Sequence, residues 1–249
     1  MASLTDILAN IADNLPSGYH SATLTTAKLT ALINERMRSV CSKYNFWWMV
    51  KECTQSTVDQ QQRYDLPDGT DSDVNGEVVW EYKQDINVDL IDYQNHRIPL
   101  TRAIKGDIEN DARFSDTVDK GIPSVYCENQ DDIWLFPKPY HAHNSATAFT
   151  INIEYYGYPP SLSSTNTSNT FSQRYPKALE YGVTADAYRI GQDLDMSEYY
   201  ETKFNDEIAE MVSADLEREF GGIEQGLTPV TGSSVTNRIQ TVGGYFDGM

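Results

Sequence analysis

The hydrophobic period of this chain changes twice, and that change limits its possible folds more than any single motif does. Near both ends apolar residues recur every three to four positions, whereas in the middle they alternate. Leu4, Ile7, Leu8 and Ile11 mark one face of a helix over residues 3–14, with Ser3 and Asp6 at capping-box spacing and Pro16 and Gly18 beyond its end. A longer helix is predicted over 25–44, striped by Leu29, Ile33, Met37, Val40 and Tyr44. After Pro176, which suits a first helical turn, Leu179, Val183, Ala187 and Ile190 form another stripe up to Gly191. Gly182 inside it costs about 1 kcal/mol relative to Ala, which points to close packing there. A last helix over 196–220 carries Tyr200, Phe204, Ile208, Met211, Leu216 and Phe220 on one side and stops at Gly221-Gly222.

Between these ends the pattern is that of strands. Phe149 to Tyr155 alternates apolar and polar residues, while Ile133-Trp134-Leu135-Phe136 and Val78-Val79-Trp80 are shorter apolar runs. Turn signals stand at Pro67-Asp68-Gly69, Asn75-Gly76, Gly121-Ile122-Pro123 and Pro137-Lys138-Pro139, and a helical turn or two is expected within 101–113. Strands without long intervening helices favour an antiparallel sheet, a sandwich or a small barrel. Phe46-Trp47-Trp48-Met49 reads as a core hinge between helix and sheet.

Neither end supplies enough helix for a bundle alone, so helices from both ends must pack together. The expected class is α+β. Residues 1–49 and 161–222 form the bundle, 50–160 a β-rich insert, and 223–249 an extended C-terminal arm. A Ser/Thr/Asn linker opens the third part at 161–169. The arm is rich in Gly and Ser/Thr yet keeps Val235, Ile239, Val242, Tyr245 and Phe246, which leaves open a disordered tail or one that orders on a partner.

Charge excludes several functions. The net charge of −18 argues against capture of nucleic acid, which needs Lys and Arg on phosphates, and equally against anionic membranes. Half of it lies between Asp193 and Glu224, where eleven acids face only Lys203 and Arg218. That density reads as a solvated helix face. Three cysteines without CxxC spacing favour neither a disulfide framework nor zinc, and fit a reducing compartment. No signal peptide or membrane-length apolar run is expected, so the protein is read as soluble and made in a cytoplasm.

Reactive constellations are weak. Asp71-Ser72-Asp73-Val74-Asn75-Gly76 opens like a calcium loop, but the closing position is Tyr82 rather than Glu, and a polar turn fits better. His141 and His143 lack a third ligand, and neither His20, His96 nor the cysteines lie at a useful spacing. Asp131-Asp132 is a carboxylate pair of the kind chance supplies in so acidic a chain. With no nucleophile elbow, P-loop or dinucleotide fingerprint, the expectation is a non-enzyme without cofactor or metal. Two rivals remain: a carbohydrate- or ligand-binding module with a cleft lined by Trp80, Trp134 and Tyr155, and a hydrolase using paired acids of perturbed pKa.

The order of several segments resembles the head-to-tail adaptors of tailed phages, closest to the tail tubular protein A type of short-tailed phages. The segments are Leu32-Ile33-Asn34-Glu35-Arg36-Met37-Arg38 running into Tyr44-Asn45-Phe46-Trp47, Arg63-Tyr64-Asp65-Leu66-Pro67, Asp132-Ile133-Trp134-Leu135-Phe136-Pro137-Lys138-Pro139, Glu154-Tyr155-Tyr156-Gly157-Tyr158-Pro159-Pro160, and Tyr175-Pro176-Lys177-Ala178-Leu179. They span about residues 29–220. The resemblance implies a ring of twelve copies beneath a portal protein, continuing the DNA channel toward the tail nozzle or fibre proteins of the virion. It also implies that the bundle forms the ring, that the β domain faces outward or tailward, and that the C-terminal arm docks on the portal. Charge adds the expectation that Glu198, Glu201, Glu207, Glu210, Asp215 and Glu217 line the bore, past which DNA slides unbound. The apolar and aromatic residues kept in the Gly-rich arm add another, that Val235, Arg238, Ile239, Tyr245 and Phe246 anchor it to the portal by ordering on binding.

Overall fold

A computed structural model describes residues 2–16, 24–70, 79–92, 94–109, 120–140 and 149–220. Helix α1, Leu4–Asn14, starts at the expected reciprocal cap: the Ser3 hydroxyl accepts the Asp6 N–H, and the Asp6 carboxylate accepts the Ser3 N–H at 2.8 Å. Helix α2, Thr26–Lys43, is capped by Thr25 and buries Leu29, Ile33, Met37, Val40 and Cys41. Tyr44 drops off this stripe. It is the C-cap, 37% exposed, and its carbonyl accepts the Lys83 ammonium at 2.8 Å, as does that of Cys41, so a cation meets the negative end of the helix.

The chain then crosses the β region and returns as helices α4, Thr170–Arg174, α5, Pro176–Ile190, and α6, Leu194–Phe220. One apolar core joins α1, α2, α4, α5 and α6 to Phe46, Trp48 and Met49 of the hinge, so the bundle is built from both ends of the chain as expected. The hinge is core: Phe46 stacks on Trp48 at 5.4 Å between centroids, and Trp48 meets Phe171 edge-on at 5.9 Å. Segment 161–169 is more than a linker. Asn34 exchanges two hydrogen bonds with the Leu162 backbone, Leu162 is buried, and Asn169 caps α4 through Ser172.

Among the described residues the β region holds two four-stranded sheets. The first, in spatial order, is β1 (Val50–Ser56), β10 (Thr150–Tyr158), β3 (Glu81–Ile91) and β4 (Arg97–Pro99), and is antiparallel throughout. The second is β2 (Arg63–Asp65), β8 (Asp132–Phe136), β7 (Val125–Asn129) and β5 (Thr101–Arg102), the last pair parallel. Val88, Leu90, Ile151, Ile153 and Tyr155 from one sheet share a core with Tyr64, Tyr126, Ile133 and Leu135 from the other. The sheets therefore pack face to face, and the described strands close no barrel. On the far face of the second sheet Cys127, Trp134 and Phe136 pack under Ile108 of α3, Lys105–Glu109.

Two local expectations change. Val79 and Trp80 are not strand; β3 starts at Glu81, and Trp80 packs against the bundle core, 6.3 Å from Trp48. Lys138 and Pro139 after the cis Phe136-Pro137 bond are not a free turn but strand β9, parallel to β6 (Lys120–Gly121). The calcium-like segment, His20, His141, His143 and the arm residues lie outside the described residues. The compact body ends at Asp215; the unit from Leu216 onward is described only through Phe220.

Candidate functional site

Helix α6 carries most of the acid run, and what mounts it decides which acids face solvent. Tyr200, Phe204, Ile208 and Met211 recur at helical spacing and are buried. Tyr200 stacks on Tyr188 of α5 at 5.6 Å. Phe204 lies over Gly182, where a Cβ would sit 3.0 Å from its ring, so the glycine expected to mark close packing does so against α6. A polar clasp backs these rings. The Arg36 guanidinium donates Nε and Nη2 to Asp186, at 2.7 and 2.6 Å, and Nη1 and Nη2 to Glu201, at 3.0 and 2.8 Å. It also sits 5.0 Å from the Phe204 centroid. These hydrogen bonds hold the Arg36 pKa above its ordinary value, against the cost of burial. Further along, Asp215 accepts the Trp47 N–H at 3.1 Å, and the Ser197 hydroxyl donates to the Ala185 carbonyl at 2.9 Å.

The six acids expected in the bore thus divide. Glu198, Glu210 and Glu217 are exposed, and Glu207 is half-buried. Glu201 and Asp215 are engaged within the subunit, by Arg36 and by the Trp47 backbone. Asp195 and Asp206 join the exposed face, beside Leu194 (67% exposed) and Tyr199 (51%). The flanking Lys203 lies 4.5 Å from the Tyr199 centroid and 5.3 Å from Tyr181.

The β region contains one carboxylate pair that a hydrolase reading would seize on. Arg102 bridges Asp85 at 2.9 Å and Glu128 at 2.6 Å, Tyr126 donates its hydroxyl to Asp85, and Tyr82 donates to Glu128. Burial raises the Glu128 pKa, and it also raises those of Tyr82 and Tyr126. Asp85 and Tyr82 lie on β3, and Arg102, Tyr126 and Glu128 on β5 and β7, so the cluster pins one sheet to the other. Both carboxylates are spent on that join. Asp131 and Asp132 stand apart from it, at the start of β8. Trp80, Trp134 and Tyr155 do not line one cleft: the Tyr155 hydroxyl donates to the Trp80 carbonyl at 2.8 Å, but Trp134 lies on the far face of the second sheet, where Arg63 and Lys105 cover its ring at 4.2 and 4.1 Å. Among the described residues no three His, Cys, Asp or Glu side chains gather as a metal cage, and no helix is long and apolar enough to cross a membrane. Cys41 is buried, which pushes its thiol up to about 12.

The family model of the SU10 adaptor protein matches residues 2–228. The chain belongs to that family. It is accordingly a phage adaptor protein, a structural virion component that associates with other virion proteins. No curated protein matches it. Sequence reasoning missed the Arg36 clasp; its only local signal was an Arg one residue from the buried face of α2, at Met37.

Proposed function

We propose that the protein joins portal to tail nozzle as a ring, of twelve copies by the family resemblance, and continues the DNA channel. The observation that supports this most is the exposed acid row on α6, with Asp195, Glu198, Asp206 and Glu210 in the compact body and Glu217 beyond it. A bore lined by such a row repels phosphate. DNA slides past it because each Lys or Arg contact would add salt-dependent affinity, and hence drag. The engaged Glu201 and Asp215 hold the helix so that the row points outward from the subunit.

The ring closes by heterologous contacts, one face of a subunit meeting a different face of its neighbour. Free subunits of net charge −18 stay apart until the portal supplies a template, since repulsion is screened only beyond about 8 Å. Val235, Arg238, Ile239, Tyr245 and Phe246 then hold the C-terminal arm on the portal, ordering as they bind. The assembly step takes place at the head–tail interface in the host cytoplasm, after DNA packaging.

Deletion of residues 226–249 tests the arm: the truncated subunit is expected to fold yet fail to attach to DNA-filled heads. Attachment at wild-type level would refute it. Sedimentation of the isolated protein is expected to give a monomer, and a stable free ring would refute the template requirement.

A further inference from the structure

Strand β1 stands at the end of its sheet and pairs only with β10 among the described residues. The Thr57 N–H donates to the Phe149 carbonyl at 2.7 Å, which fixes the phase of the antiparallel ladder. Lys51, Cys53 and Gln55 therefore direct their backbone groups at β10, and Glu52, Thr54 and Ser56 direct theirs at the open edge. The side chains of those three residues are all exposed.

Open edges in folded proteins are usually short, bulged or closed by proline. The other edges here obey this: β2 has three residues, β5 two, and β4 three ending in Pro99. β1 does not. Its seven residues run in unbroken register without proline, whereas β10 meets β3 through two register shifts.

Charge indicates what the edge accepts. Glu52 stands opposite Glu154 on the same face, a like-charged pair that weakens a ladder. Among the described residues its one cation is Arg97, which reaches it at 3.4 Å and is shared with the buried Asp89 at 3.6 Å. An added strand would place a residue about 4.8 Å beyond Glu52, and a Lys or Arg there completes a row of acid, acid and cation. Another copy of this chain suits the place poorly, having 37 acids against 19 bases.

We infer that the open edge of β1 is a docking site for an extended, cation-bearing strand of the tail component that follows the adaptor. The inference rests on the head-to-tail reading above. Main-chain hydrogen bonds from Glu52, Thr54 and Ser56 supply the affinity, and the acid row supplies register and selectivity.

Hydrogen exchange over Val50–Ser56 tests it, compared between the free protein, tail-less heads carrying the adaptor, and complete virions. The outward amides are expected to exchange fast in the first two and about a hundredfold more slowly or beyond in the third. Equal rates in tail-less heads and virions overturn the inference; slow exchange already in tail-less heads assigns the edge to a second copy and also overturns it. Thr54→Pro removes only an outward N–H, so the subunit is expected to fold and bind heads but lose tail attachment. Gln55→Pro breaks the β10 ladder and is expected to abolish folding. Thr54→Pro particles that keep their tails overturn the inference, and if that variant misfolds the exchange comparison still decides. A chain absent from the head–tail junction altogether defeats the adaptor reading instead.

Discussion

Helices α5 and α6 are neighbours in sequence and in space, yet they are held in different ways. α5 is buried nearly all round, through Ala178, Leu179, Gly182, Val183, Thr184, Ala185 and Ala187. Small side chains let its backbone approach α1 and α2 closely. α6 is covered on one side only and stands off on Tyr200 and Phe204, with Arg36 closing the gap. The difference teaches how one acidic stretch serves two ends. Acids on the covered side act as structural partners, and those on the open side are left to meet something else.

Removing the standoff should hurt most. Phe204→Ala takes away the ring that fills the space over Gly182 and is expected to cost about 3 kcal/mol in urea unfolding. Next comes the clasp. Arg36→Met leaves Asp186 and Glu201 to the more exposed Arg189, at 3.3 and 3.5 Å, and after allowance for their partial exposure a loss of about 1.5 kcal/mol is expected. An unchanged midpoint would mean that the rings, with Arg189, suffice to hold α6. The α1 cap is a smaller matter: Ser3→Ala should cost about 1 kcal/mol. The Ser3 backbone and hydroxyl lower the Asp6 pKa in the fold, so this cap stabilises above the ordinary Asp value of 3.8 and is lost as pH falls through the lowered one. Protection of the first α1 amides, taken relative to the intrinsic exchange rate at each pH, should fall there and at no higher pH. Smallest of all, Glu198→Gln with Glu210→Gln should shift stability by less than about 0.5 kcal/mol, because both side chains are exposed.

Much of the architecture was legible where local pattern and final packing agree. The α2 stripe from Leu29 to Val40 is buried as its period predicts, and Gly182 marked a true close approach. Local pattern misled at Val79-Trp80, where an apolar run suits either a strand or a plug, and its use as a plug depends on Trp48, far away in sequence. Helix α4 was passed over although Asn169 and Ser172 stand at capping spacing, because five residues show too little period. The short parallel pairs β5–β7 and β6–β9 leave no two-residue signature at all. Which acids of α6 are displayed was only half legible. Helical period places Glu201 on a flank, but its role comes from Arg36, 165 residues earlier.

The position of α6 in the assembled particle bears on the account most directly. A cryo-EM reconstruction of the protein bound to its portal should place Glu198 and Glu210 on the wall of the central channel, with Arg36 still between Asp186 and Glu201. Finding α6 on the outer wall, with its acids turned to bulk solvent, would contradict it.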